Sequence, residues 1–221
     1  MKIAAISLNK YGDDLAAKIN KQVPIDIYSR NNIKNFNIIT LAATLMQSYE
    51  AIIFLSSTGI AVRSIASFIK NKVEDPAVIV IDIFGKYVIS LLSGHLGGAN
   101  SLTEKIANII GAQPIITTAT DSLNVTAPDI VAMENGLIIG DMKIAKEISA
   151  LLVDGKNVFF SDGEREISLP KGYTENLQLA EGIVYVTNKN EDVKSDPNIP
   201  KLKLIRKNIV LGIGCKKKLF C

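Results

Sequence analysis

The chain has a single histidine, and it lies in the stretch SGHLGGAN at 93–100. Imidazole is the side chain whose ordinary pKa suits proton transfer near neutral pH. Gly94, Gly97 and Gly98 surround His95; a helical pattern follows, and then the hydroxyl run TTATD at 117–121, which ends in Asp121. A related order of strand residues, hydroxyl residues, glycine and helix occurs in LSSTGIAVR at 55–63. Glycine in such turns tolerates positive φ and lets backbone N–H groups approach a ligand closely. The N–H groups of a helix start favour anions. Gly97, Gly98 and Ala99 could therefore hold a carboxylate, phosphate or oxyanion, and Arg63 could add a bidentate carboxylate contact. Ser56, Ser57, Thr58, Ser93, Thr117, Thr118 and Thr120 supply hydroxyls.

Plain structural roles compete for each residue. The glycines can simply let a strand turn into a helix. Asn100 or Ser101 fits a helix cap, and Asp121 fits the cap of the following turn. Arg63 fits a solvated helix face, and His95 a hydrogen-bonded strut. A Ser–His–Asp triad from Ser93 or Ser101, His95 and Asp121 is conceivable, although sequence neighbours such as Ser93 and His95 rarely form one. One histidine with Cys215 and Cys221 makes neither a zinc site nor a disulfide framework. No Gly-Lys-Ser/Thr follows the glycine pair, and LNKYGDD, after the first strand, has a single glycine, so neither nucleotide fingerprint is present.

The elements that must position these residues alternate. Apolar runs at 2–8, 24–29, 50–57 and 114–118 predict strands, and patterns at 11–23, 37–49, 58–72 and 97–111 predict helices. Asp13 and Asp14 suit the positive start of the first helix, and Gly111 suits the stop of the fourth. Two β-rich runs flank DIFGK and predict a hairpin near Phe84-Gly85. This alternation implies an α/β fold, an open and mostly parallel sheet with right-handed crossovers. Ligands of such sheets bind beyond the strand C-terminal ends. If the strands are parallel neighbours, all three hydroxyl-rich loops line one site. Beyond about residue 125 the pattern changes to a helix at 141–153, short strands, a strand at 181–188 and a polar loop at 189–201. The expected division is an N-terminal α/β domain at 1–128, a smaller α/β middle domain at 129–205, and the start of a truncated C-terminal domain or basic tail at 206–221.

Hydrophobic residues form 48% of the 221, enough for a sizeable core, and no run reaches the ~18 apolar residues of a membrane span. With no signal-peptide pattern at the start, the expected location is cytoplasmic. The net charge of +3 conceals an asymmetry: residues 201–221 carry seven basic and no acidic side chains, so the remainder is mildly acidic. A basic tail of this kind is expected to be solvated, and nucleic acid is a poor partner because no basic stripe runs through the folded part. The run NIVLGI at 208–213 reads as an edge strand that would favour self-association.

STGIAVRSIASFI, DPAVIVID, VISLLSGHLGGAN, GAQPIITTATD and VLGIGCKK together resemble the cobalt-precorrin-5A hydrolase (CbiG) family of anaerobic cobalamin biosynthesis. The resemblance is dense over about 50–130 and looser beyond. It implies three parts, the last opening on a strand like VLGIGC, so that most of a C-terminal domain would lie outside this chain. KKKLFC departs from the expected glycine-containing continuation, and Ile83 stands where an acidic residue is expected. The implied activity is hydrolysis of a δ-lactone on a cobalt-containing tetrapyrrole, with C–C cleavage that releases acetaldehyde. Cobalt comes with the substrate, so no protein cofactor or metal is implied. The implied catalytic residues are His95, Thr118 and Asp121. Thr58, Gly59, Arg63, Ser93, Gly94, Gly97, Gly98, Asn100 and Thr117 are the implied substrate contacts. A homo-oligomer or a complex with other enzymes of the pathway is the expected assembly. A module that binds the corrinoid intermediate without turning it over is the other reading.

Overall fold

The computed structural model describes residues 1–71, 74–189, 193 and 195–207. The chain divides into two compact units, Met1–Asn124 and Val125–Cys221.

The first unit runs β1 (Ile3–Ser7), α1 (Lys10–Asn20), β2 (Asp26–Ser29), α2 (Ile38–Ser48), β3 (Ala51–Leu55), α3 (Thr58–Ile65), β4 (Ala77–Ile81), β5 (Tyr87–Leu92), α4 (Ala99–Ile110), β6 (Gln113–Ile115) and α5 (Ala119–Ser122). The sheet order is β2-β1-β3-β4-β5-β6. β1, β3 and β4 are buried at every position, as unbroken apolar strands covered on both faces should be. Their side chains alternate between two cores. Ala5, Ile53 and Ile79 face α1 and α4, and Ile6, Phe54 and Val80 face α2 and α3.

The first four strands are parallel, but β5 pairs with β4 antiparallel, and β6 follows the direction of β5. The expected hairpin is therefore present. Gly85 takes φ 65° in its turn, and the Asp82 carboxylate accepts from the amides of Phe84, Lys86 and Tyr87. One expectation fails as a result. The loop after β3 opens at one edge of the sheet, and the loops after β5 and β6 open at the other. Five residues of strand put about 16 Å between these edges, so the three loops do not line one crevice.

The second unit runs α6 (Pro128–Glu134), β7 (Leu137–Ile139), α7 (Met142–Val153), β8 (Val158–Asp162), β9 (Tyr173–Thr174), β10 (Gly182–Val186) and β11 (Lys201–Arg206). Its sheet order is β7-β11-β10-β8-β9, parallel except at β7. β11 corrects the reading of a solvated basic tail. Lys201–Arg206 is an interior strand, with Leu202 and Leu204 fully buried and Lys201 and Lys203 on the other face. The alternating KLKLIR is the period-2 signal. The strand expected at 208–213, the lysines at 216–218 and both cysteines lie outside the described residues.

Candidate active site

The candidate site is built at the edge where β5 and β6 end. Against β4, the register of β5 slips by one residue between the Val78–Leu92 and Ile79–Ser90 pairs, which leaves Leu91 as a bulge. Leu91 and Leu92 consequently both pack toward the α2–α3 core. Ser90 keeps the opposite face and meets α4. Ser93 then takes φ 57° and its hydroxyl donates to the Asp75 carbonyl at 3.0 Å. These two irregularities fold the glycine turn back over the first residues of α4.

Two glycines in that turn are there for space. A Cβ on Gly94 would lie 2.8 Å from Asn100 Oδ1, and one on Gly97 would lie 2.4 Å from Ser93 Cβ. Gly98 is needed for its φ of 82° and is the N-cap of α4, with no side-chain cap. The cap expected of Asn100 or Ser101 is thus not made. Two of the three amides expected to form an anion cradle, those of Gly98 and Ala99, are taken up within the turn. The amides of Gly98, Ala99 and Asn100 donate to the carbonyls of His95, Ser93 and Gly94 at 2.8, 3.1 and 3.0 Å. Those donors close the turn on itself.

Six side chains do converge. His95 Nε2 lies 2.8 Å from Asp121 Oδ2 and 3.2 Å from Thr120 Oγ1. Asn100, nine-tenths buried, donates through Nδ2 to Thr118 Oγ1 at 2.8 Å and to Asp121 Oδ2 at 3.0 Å. Ser90 Oγ donates to Asn100 Oδ1 at 2.6 Å. Burial acts to raise the pKa of Asp121, but the Thr118 hydroxyl and the His95 ring outweigh it and hold the carboxyl below its ordinary 3.8. Asp121 is then ionised at neutral pH and can only accept, which assigns the proton on the neutral ring to Nε2. Nδ1 is the basic nitrogen of that tautomer. The imidazole is 15% exposed and the carboxylate 44%, so the pair is reachable from solvent.

A cleft of about 240 Å³ adjoins this cluster, lined by Ser90, Ser93, Gly94, Asn100, Thr117 and Thr118 among others. The expected contacts Ser93, Gly94, Asn100 and Thr117 are thus gathered on one wall system, together with Thr118. Thr58, Gly59 and Arg63 are not. Thr58 and Gly59 start α3 at the far edge, and Arg63, in its last turn, folds its guanidinium back onto the Gly59 carbonyl at 3.4 Å. Ser93 does not complete a Ser–His–Asp triad, since its hydroxyl is turned to the Asp75 carbonyl. Sequence reasoning passed over Ser90, whose place depends on the bulge. Thr120 was visible only as one hydroxyl among several. Among the described residues no three His, Cys, Asp or Glu side chains converge as a metal site, and no helix is long and apolar enough to cross a membrane.

Residues 40–121 match the family model for the N-terminal region of cobalamin synthesis G, and 126–205 match that for the cobalamin biosynthesis central region. A cobalt-precorrin-5A hydrolase of Salmonella typhimurium is 34% identical over 97% of this chain and 66% of its own length. The enzyme of that name from Priestia megaterium is 33% identical over 70% of this chain and 45% of its own. The chain therefore spans no more than about two thirds of these relatives. A crystal structure of a cobalamin biosynthesis protein G homolog from Sulfolobus solfataricus superposes with a TM-score of 0.56 at 23% identity. It covers 93% of this chain and 60% of the other, and shares the fold. The two family models fall on the two compact units, one on each, and with the Salmonella protein's match over 97% of this chain they show that the chain belongs to the CbiG family of cobalamin biosynthesis.

Proposed function

We propose that this chain carries the catalytic centre of a cobalt-precorrin-5A hydrolase, with His95 as general base and Asp121 as its orienting carboxylate. The observation that carries the reading is the 2.8 Å contact between His95 Nε2 and an ionised, partly exposed Asp121 beside a hydroxyl-lined cleft. An aspartate that accepts from one ring nitrogen fixes the tautomer and stabilises the imidazolium that forms when the other nitrogen takes a proton.

The substrate is a cobalt-containing tetrapyrrole bearing a δ-lactone, and the metal enters with it. The cleft is too small for a whole macrocycle and suits a peripheral ring. His95 removes a proton from water as the water oxygen bonds to the lactone carbonyl carbon. The ring C–O bond then breaks, and the departing alkoxide recovers the proton from His95. This leaves a carboxylic acid and a hydroxyethyl group. In the second stage His95 takes the hydroxyl proton, the C–C bond to the macrocycle breaks with its electrons passing into the conjugated ring, and acetaldehyde departs. The Thr118 hydroxyl, expected to shuttle protons, is committed to Asn100 and Asp121, so Thr120 is the hydroxyl at the imidazole. Oxyanion stabilisation falls to groups other than the amides of Gly98, Ala99 and Asn100.

The test is anaerobic incubation of the 221-residue chain with cobalt-precorrin-5A and assay of acetaldehyde. Release at many turnovers per chain supports the reading. Tight macrocycle binding without acetaldehyde contradicts it and makes this part of the protein a binding module.

A further inference from the structure

The His95–Asp121 pair rests on a weak element. Asp121 belongs to α5, a single turn of four residues, and its side chain is 44% exposed. A carboxylate in that setting changes rotamer freely unless something holds it. Beyond the Thr118 hydroxyl of the same turn, what holds it comes from elsewhere in the fold, through one buried amide.

We propose that Asn100, oriented by Ser90, is the positioning residue of the His95–Asp121 dyad, and that it selects which ring nitrogen of His95 carries the proton. The inference rests on the catalytic reading of His95. A primary amide has two distinct ends. The Ser90 hydroxyl donates to Oδ1, which turns Nδ2 toward Thr118 and Asp121 and gives both its hydrogens acceptors. If the amide were flipped, its oxygen would face the Asp121 carboxylate and its NH2 would face Ser90. The Nδ2 contact fixes Oδ2 of Asp121 as the oxygen that meets His95 Nε2. Each supporting residue is itself locked. Ser90 is aimed by the β5 bulge, Asn100 sits in the first turn of α4, and Gly94 leaves the room that a Cβ would take from the amide. The local sequence is costly for a helix start with no side-chain cap, and the cost is understandable if Asn100 is placed for the dyad.

Asn100→Asp tests this with little change of shape. The donor NH2 becomes an acceptor, and a second carboxylate faces Asp121. Because His95 is the only histidine, its two ring nitrogens give the only imidazole signals in a ¹⁵N spectrum. The parent should show the Nε2–H tautomer. Asn100→Asp should show a mixture of tautomers, and kcat/KM for acetaldehyde release should fall about tenfold, mostly in kcat, as expected for a misplaced group. Should that variant fail to fold, Ser90→Ala keeps the question open. It removes only the donor that sets the amide, and should lower kcat about threefold and broaden the tautomer ratio, with recovery in Ser90→Thr. A folded Asn100→Asp or Ser90→Ala with the parent's tautomer and rate overturns the proposal. The spectrum reads positioning without turnover, so an active His95→Ala would refute the catalytic reading separately.

Discussion

Asp121 and Asp162 are both held below the ordinary carboxylate range, one in each unit, yet their surroundings differ in kind. Burial raises the pKa of Asp162, and the amides of Glu164, Ile167 and Glu166 together with the Arg206 charge outweigh it. Its side chain is 2% exposed, and both oxygens lie 2.8 Å from Arg206 Nη2. Arg206 also reaches Glu164 and ties the end of β11 to the turn after β8. Every partner there is permanent, since an arginine stays charged and backbone amides do not titrate. Asp121 instead leans on a histidine, the Thr118 hydroxyl and the Asn100 amide, and remains reachable from solvent. A carboxylate enclosed by fixed donors can only hold the fold. One that shares its partner with solvent and with a titrating ring can take part in proton transfer.

The largest effect that would sharpen this contrast is on stability. Asp162→Ala strands three amides and takes from Arg206 its buried partner, leaving only the exposed Glu164 and Glu166, and should destabilise the second unit by roughly 3 kcal/mol, the cost of breaking a buried pair. Chemical denaturation should show this, while the ¹⁵N signals of His95 stay as in the parent. Acid comes next. Both aspartates have folded pKa values below the unfolded value of 3.8, so their stabilisation is complete above that range and is lost as pH falls through the folded pKa. Thermal melts should be level above about pH 5 and decline below about pH 4. Asp162→Asn should flatten that decline more than Asp121→Asn, because Asp162 has more donors to lose. The smallest effect separates two glycines. Gly111→Ala strains a φ of 74° with nothing within 4 Å of the new Cβ, and should cost about 1 kcal/mol with activity intact. Gly94→Ala pushes on Asn100 and should cost activity out of proportion to its change in melting temperature.

Much of the fold is readable along the chain. The unbroken apolar runs of β1, β3 and β4, the stop of α4 at Gly111 and the hairpin at Gly85 all follow from local chemistry. The consequence of the hairpin is less local. It reverses β5 and β6, and so parts the TGIAVR loop from the SGHLGGAN and TTATD loops, which local pattern alone would have put together. β11 was masked by its lysines, although KLKLIR alternates as an interior strand can when one face is apolar and the other carries long amphipathic side chains. At the site, His95, Thr118 and Asp121 stand out by residue type, and the structure brings them to one cluster. Asn100 and Ser90 do not stand out in the same way. Asn100 reads as a cap until the N-cap is seen to be Gly98, and Ser90 faces it only because Leu91 is bulged out of register. The anion-binding reading loses the amides of Gly98 and Ala99, because a glycine turn can satisfy its own donors, and here it takes up those two.

The most direct test of the central claim is a double-mutant cycle on acetaldehyde release with His95→Ala, Asp121→Asn and the pair combined. If the two residues act as one unit, His95→Ala lowers kcat by about 10²–10⁴-fold, Asp121→Asn lowers it substantially, and the double variant is no slower than His95→Ala alone. Losses that multiply in the double variant, or a His95→Ala protein that turns over at the parental rate, would contradict the account.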